Sequence, residues 1–166
     1  MARPLKNMKK DFRQLKQFIA ALPKLASNAY ENFIQDNFEA ESFEDVRVKK
    51  WPKRKGKERG RRKLLVKSGA LRRSLNNRMY KRPKRIEIIF SSNLPYAKIH
   101  NEGGSFQKST TVRGHRRRTK RGVVSVRRHK RQQRVQIPER QFMGPSARFR
   151  KNFGAYIERR LSKLNR

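Results

Sequence analysis

The sequence contains no cysteine. Disulfide staples, thiolate nucleophiles and zinc sites built on thiolates are therefore excluded, and the fold must rest on packing or on partners in an assembly. Acidic residues are scarce: 12 Asp and Glu stand against 47 Lys and Arg, a formal net charge of +35 at pH 7. Such a charge opposes compaction by self-repulsion until polyanions or acidic neighbours neutralise it. Long apolar runs are missing too. Nothing approaches the roughly 18 consecutive apolar residues that span a bilayer, and Met1–Lys10 has charges but no apolar stretch of the signal-peptide kind. These absences predict a chain made and kept in a cytoplasm, with no membrane partner. Its 166 residues fit a single domain over 1–166, on a prior of roughly 100–200 residues per domain.

Catalytic chemistry has little to work with. The only histidines are His100, His115 and His129, and the last two stand among cations that disfavour both imidazolium formation and metal binding. His100 and Glu102 lie two apart before a double glycine, but no nucleophile motif accompanies them, so structural hydrogen bonding is the expected role. Gly103-Gly104-Ser105 and Gly69 do not complete a phosphate-binding loop. Glu39, Glu41, Glu44 and Asp45 lack the fixed glycine and terminal glutamate of a calcium loop, and read as a solvated or subunit-facing acidic edge. No catalytic residue, metal site or cofactor is expected.

Along the chain, Phe12, Leu15, Ile19, Leu22, Leu25 or Ala26, Ala29 and Phe33 recur at helical spacing. They predict an amphipathic helical region ending in the acidic stretch Asn37–Asp45, with Pro23 causing a kink or dividing two helices at Leu22–Lys24. Ser68–Leu71 and the alternation through Leu75 and Met79 fit helix or strand equally. Ile86, Ile88 and Phe90 predict a strand with one face well buried, in an antiparallel sheet. Pro95–His100 reads as a short helical turn closed by Gly103-Gly104. A final helix is expected from about Ser146, with Phe149, Phe153, Tyr156 or Ile157, and Leu161 along one face. The fold class predicted is α+β: an antiparallel sheet packed by a long or kinked N-terminal helix and a C-terminal helix, with extended basic loops.

Two basic segments interrupt this pattern and read as arms, 47–67 and 108–134. The first carries Gly56 and Gly60 and has a composition that cannot bury a core. The second has no acidic residue, and Gly122 with Val123, Val124 and Val126 suggests a hairpin. Arg113, Arg116, Arg117, Arg118, Lys120, Arg121, Arg127, Arg128, Lys130 and Arg131 are its candidate contact residues, arginine being the side chain best suited to bidentate phosphate contact. The partner expected is a nucleic-acid backbone or, second, an acidic protein, with a merely solvated arm as the remaining reading. With aromatics nearly missing from the segment, any nucleic-acid contact should be independent of sequence.

Three blocks in order carry a resemblance. Asn32-Phe33 through Phe43, Trp51-Pro52 and Leu64-Leu65-Val66-Lys67-Ser68-Gly69-Ala70-Leu71-Arg72-Arg73-Ser74-Leu75 form the first. Pro95-Tyr96-Ala97-Lys98-Ile99-His100-Asn101-Glu102-Gly103-Gly104 is the second, and Ile137-Pro138-Glu139-Arg140-Gln141-Phe142-Met143-Gly144-Pro145-Ser146 the third. Together they resemble the phage virion-morphogenesis proteins, the Mu-type tail-completion family. The resemblance implies a non-enzymatic structural subunit of a tailed-phage virion that completes the tail or forms the head–tail neck. It would assemble in the host cytoplasm as a homo-oligomeric ring beside other neck, portal or tail proteins. It also marks Gly69, Leu71, Tyr96, His100, Gly103, Arg140, Phe142 and Gly144 as scaffold residues. Gly69 and Gly103 are expected to supply positive φ at turns, while Tyr96, Ile99, Phe142 and Met143 bring loops back onto the core. The strength of the basic charge departs from the family pattern. Composition taken alone fits a ribosomal or other ribonucleoprotein scaffold binding RNA through basic arms.

Overall fold

A computed structural model describes residues 5–54 and 62–164. The chain opens with one helix, α1 (Leu5–Ala40), about 54 Å long at 1.5 Å per residue. It continues through Pro23 without dividing. The lost hydrogen bond belongs to the carbonyl of Ile19, whose surroundings are open to water, the residue being 55% exposed. The expected face is covered in part: Leu15, Leu22, Leu25, Ala26, Ala29 and Phe33 are half-buried, Phe33 against Phe149. Phe12 is 60% exposed, and the buried stripe runs through Ser27, Tyr30, Ile34, Asn37 and Phe38 near the C-terminal end, where the other elements converge.

The helix stops at Glu41, which takes the left-handed conformation at φ 51. Its carboxylate accepts from the Leu64 amide and its carbonyl from the Trp51 amide at 2.8 Å, contacts that offset the cost of positive φ in a residue with a Cβ. Then come β1 (Ser42–Glu44) and β2 (Val48–Lys50), paired antiparallel with Phe43 opposite Lys49. The expected arm at 47–67 is therefore not wholly a loop: it opens on a strand, and Trp51 and Leu64 are core residues at 5% and 7% exposure. Single apolar residues within a basic run are enough to anchor it. Residues 55–61 of that arm lie outside the described residues.

Next are the short α2 (Ala70–Arg73) and the hairpin of β3 (Leu75–Arg82) and β4 (Arg85–Ser92), with Met79 opposite Ile88. The undecided alternation through Leu75 and Met79 is strand. The apolar face of β4 is less covered than its pattern suggests: Ile88 and Phe90 are half-buried, but Ile86 is 48% exposed; Phe90 packs on Tyr30 of α1, while Ile86 and Ile88 line an open cavity with Leu22, Pro23 and Ala26 of the same helix. After α3 (Ala97–Glu102), β5 (Gly104–Val112) runs out and β8 (His129–Ile137) returns beside it, with β6 (His115–Thr119) and β7 (Gly122–Val126) paired at the tip. This ribbon is the expected hairpin arm, with a stem of about 30 Å. The chain closes on α4 (Ala147–Leu164).

The architecture is α+β, with a long N-terminal helix, small antiparallel two-stranded sheets and a C-terminal helix. Its core joins Ile34, Phe38, Trp51, Leu64, Leu71, Ala97 and Phe142. Phe38 contacts the ring of Trp51 edge-on at 5.6 Å and that of Phe142 at 5.1 Å. A second aromatic group seats α4 on α1, with Phe149 at 5.1 Å from Tyr30 and 5.4 Å from Phe33.

Candidate nucleic-acid interface

The base of the ribbon is fixed by the segment that follows it, residues 139–147, through bonds to α1, β1, α3 and the chain around Trp51. The Arg140 amide donates to the His100 carbonyl at 2.9 Å, and its Nε donates to the Pro52 carbonyl at 3.0 Å. Trp51 Nε1 donates to the Gln141 carbonyl at 2.7 Å. Asn101 Oδ1 accepts from the amides of Phe142 and Met143 at 3.0 and 3.1 Å. Asn37 Nδ2 donates to the Phe142 carbonyl at 3.2 Å while its Oδ1 accepts from the Glu44 amide at 3.2 Å. Ser146 Oγ donates to the Glu44 carbonyl at 2.7 Å and accepts the Phe149 amide at 3.0 Å, which caps α4. A loop with few ladder bonds of its own is thus satisfied by side chains, as buried backbone polar groups require.

The motif residues take different parts in this. Phe142 and Leu71 are core, at 0% and 2% exposure. Gly69 and Gly103 have φ of 72 and 73, a conformation that disfavours any residue with a Cβ. Gly144 lies at φ 150. Tyr96 does not return its loop to the core: it is 40% exposed and instead meets the His100 ring edge-on at 5.9 Å. Ile99 and Met143 are half-buried. Arg140 is 8% exposed, and burial first, then the nearby Arg54 charge, lowers its pKa against the opposing effect of Glu41. Burial, followed by the charge of Arg140, also lowers the His100 pKa. Its Nδ1 is buried without a hydrogen-bond partner among the described residues.

Beyond this base the ribbon is cationic and open. Arg113 stands at the β5–β6 junction, Arg116, Arg117 and Arg118 in β6, Lys120 and Arg121 in the tip turn, Arg127 and Arg128 between β7 and β8, and Lys130 and Arg131 in β8. All ten are exposed. Among the described residues none forms an ion pair, the pairs present all lying elsewhere. Strand alternation divides the five that lie within strands, Arg116, Arg117, Arg118, Lys130 and Arg131, between two faces. At the tip, Arg117 lies opposite Val124, while Arg116 and Arg118 lie opposite Ser125 and Val123 on the other side. In the stem one face bears Lys130 and Arg134 among Ser, Thr and Gln, and the other bears Lys108 and Arg131 with Phe106, Val112, Val135 and Ile137. His115 and His129 also lie in the ribbon, each contacting a backbone carbonyl through Nδ1 at 3.0 Å, those of Arg113 and Arg127 respectively.

The acidic stretch is not a free edge awaiting a neighbour's arm. Glu39 pairs with Lys63 and Arg72, and these, Lys63 foremost, hold its carboxyl below the usual range. Glu41 accepts from the Leu64 amide. Glu44 pairs with Arg148 at 3.4 Å, and Asp45 accepts from the Ala147 amide at 2.6 Å. Each of these four carboxylates thus has a donor within the chain.

Several residues that build the site carried little sequence signal. Asn37 and Asn101 look like solvent-facing polar residues until the burial of the first, which bonds through both Nδ2 and Oδ1, and the two amides held by Oδ1 of the second are seen. Asn37 alone leaves a trace, since it falls on the helical stripe with Ile34 and Tyr30. Among the described residues no group of three or more His, Asp or Glu is placed to hold a metal, and no helix is long and apolar enough to cross a membrane.

Fold and site together define a small α+β subunit whose buried loop anchors a projecting basic β-ribbon. A model of the phage virion morphogenesis family matches residues 2–162, and the chain belongs to that family. Comparison with curated proteins and with solved structures gave no match. The protein therefore has a structural or assembly role in a phage virion, and nothing in the fold or the comparisons points to the ribonucleoprotein reading.

Proposed function

We propose that this protein is a non-enzymatic subunit that completes the tail or forms the head–tail neck as a homo-oligomeric ring, and that its ribbon contacts DNA in the channel. Membership of a virion morphogenesis family supplies the setting. The observation that carries the contact is the ribbon itself: it is exposed, cationic and without ion pairs among the described residues, yet fixed at its base by the bonds of residues 139–147. Rigid anchoring of a charged arm suits a surface that must meet a polyanion at a set place. Self-repulsion from a net +35 keeps isolated copies apart until DNA or adjoining neck, portal or tail proteins neutralise them.

The test is complementation of a phage lacking this gene. Full chain is expected to restore joined particles. A chain with residues 105–136 replaced by a short turn should fold and leave heads and tails separate or DNA unretained. Normal particles from the shortened chain would remove the ribbon from the function.

A further inference from the structure

The division of the ribbon's cations between its two faces has a consequence for how it meets its partner. An arm that lay flat on a polyanion would gain from cations on one face only, leaving the other set in water. Here Arg116 and Arg118 project from one face of the tip and Arg117 from the other. The stem repeats the division, with Lys130 and Arg134 on one side and Lys108 and Arg131 on the other. We infer that the ribbon enters a groove of duplex DNA on edge, each face toward one of the two phosphate strands; this rests on the DNA-contact reading above.

Dimensions and charge support that partner. A two-stranded ribbon is about 5 Å between strands and about 10 Å through its side chains, which fits a B-form major groove of about 12 Å. The major groove of A-form RNA is too narrow for side chains to read. A second copy of this chain carries the same net +35 and is repelled. Of its 12 acidic residues, Glu39, Glu44, Glu87 and Glu139 are ion-paired within their own chain, and Glu41 and Asp45 accept backbone amides. The only aromatic residue between 104 and 137 is Phe106, near the base, so the tip engages backbone and not stacked bases.

The experiment measures affinity for a mixed-sequence DNA duplex as a function of salt, using the full chain, Arg117→Ala, and the double variant Arg116→Ala/Arg118→Ala. These side chains are exposed and without ion pairs among the described residues, so the fold is retained; circular dichroism verifies it. Each phosphate contact contributes about 0.9 to the log–log slope. The single variant is expected to lower the slope by about 0.9 and the double variant by about 1.8, with an A-form RNA duplex bound more weakly than DNA throughout. If only one face changes the slope, the ribbon lies flat: the inference fails while DNA contact stands. If the full chain does not bind duplex at all, the DNA-contact reading itself fails. If polyglutamate binds as tightly as duplex and responds to the same variants, the partner is an acidic protein and the groove is overturned.

Discussion

The Tyr30 hydroxyl donates to the Gly144 carbonyl at 2.7 Å and accepts from the Gly144 amide at 2.9 Å. One side chain of α1 thereby satisfies both backbone groups of a residue 114 positions away, just before α4. Burial pushes the phenol's pKa up, with the Gly144 hydrogen bond opposing, so it stays a protonated donor through the neutral range. Tyr30→Phe keeps the ring contacts and removes only this clasp. It should cost about 1–3 kcal/mol, the range for leaving buried polar groups unsatisfied. Denaturant unfolding measures it, and an unchanged midpoint would mean that Gly144 finds other partners.

Gly69 and Gly103 share nearly the same φ, 72 and 73, but not the same neighbours. A Cβ at Gly103 would meet the Glu139 amide nitrogen at 2.8 Å, a backbone atom, whereas at Gly69 it would meet the end of the Arg73 side chain at 2.6 Å. Arg73 is exposed and can move. Gly69→Ala should therefore cost only the left-handed backbone term of about 1–2 kcal/mol. Gly103→Ala should cost more and loosen the ribbon from residues 139–147. Equal losses in thermal melts would refute the steric distinction.

Asn101 is the most economical test of the loop that supports the ribbon. Its single oxygen accepts from two successive amides, those of Phe142 and Met143. Asn101→Ala strands both and should destabilise by about 1–3 kcal/mol for each amide that water cannot reach. Asn101→Asp retains an acceptor and should recover most of the loss. Failure of Asp to recover it would indicate that the Asn101 Oδ1 is not the group that matters.

Acid should weaken the fold in two windows. The folded His100 pKa is lowered by burial and by Arg140. The unfolded chain therefore takes up a proton first, and the stability held above about pH 6.5 is lost as pH falls toward the folded value. Glu39, held low by Lys63 and Arg72, contributes above the ordinary carboxylate range and loses its contribution in stronger acid, by a modest amount given its exposure. Melts of wild type between pH 8 and pH 5 should fall in temperature, and His100→Gln should flatten that fall. Parallel curves would remove His100 from the effect.

Much of the fold was legible because long-range patterning is strong where elements are long. The helical spacing about α1 and α4, the alternation of β4 and the hairpin signal at Gly122 all correspond to elements present. How far along α1 its apolar face is covered was not legible. Phe12 and Ile19 have the right spacing but extend past the region where other elements converge, and burial depends on what a residue meets as well as on period. Trp51 and Leu64 were obscured by the cations around them, since composition averages over a window and a core needs only one side chain from it. The ten candidate arm cations were legible as a cluster, but the separation of those in strands into two faces depends on strand register, which a run such as Arg116-Arg117-Arg118 does not reveal until its partners Ser125, Val124 and Val123 are known.

The most direct measurement of the central claim is to image the intact virion and locate this chain within it. The account predicts a ring of copies at the head–tail junction or the end of the tail that meets it, with residues 104–137 directed toward the DNA axis and in contact with phosphate density. Copies found instead in the capsid shell, or ribbons directed outward to solvent, would contradict it.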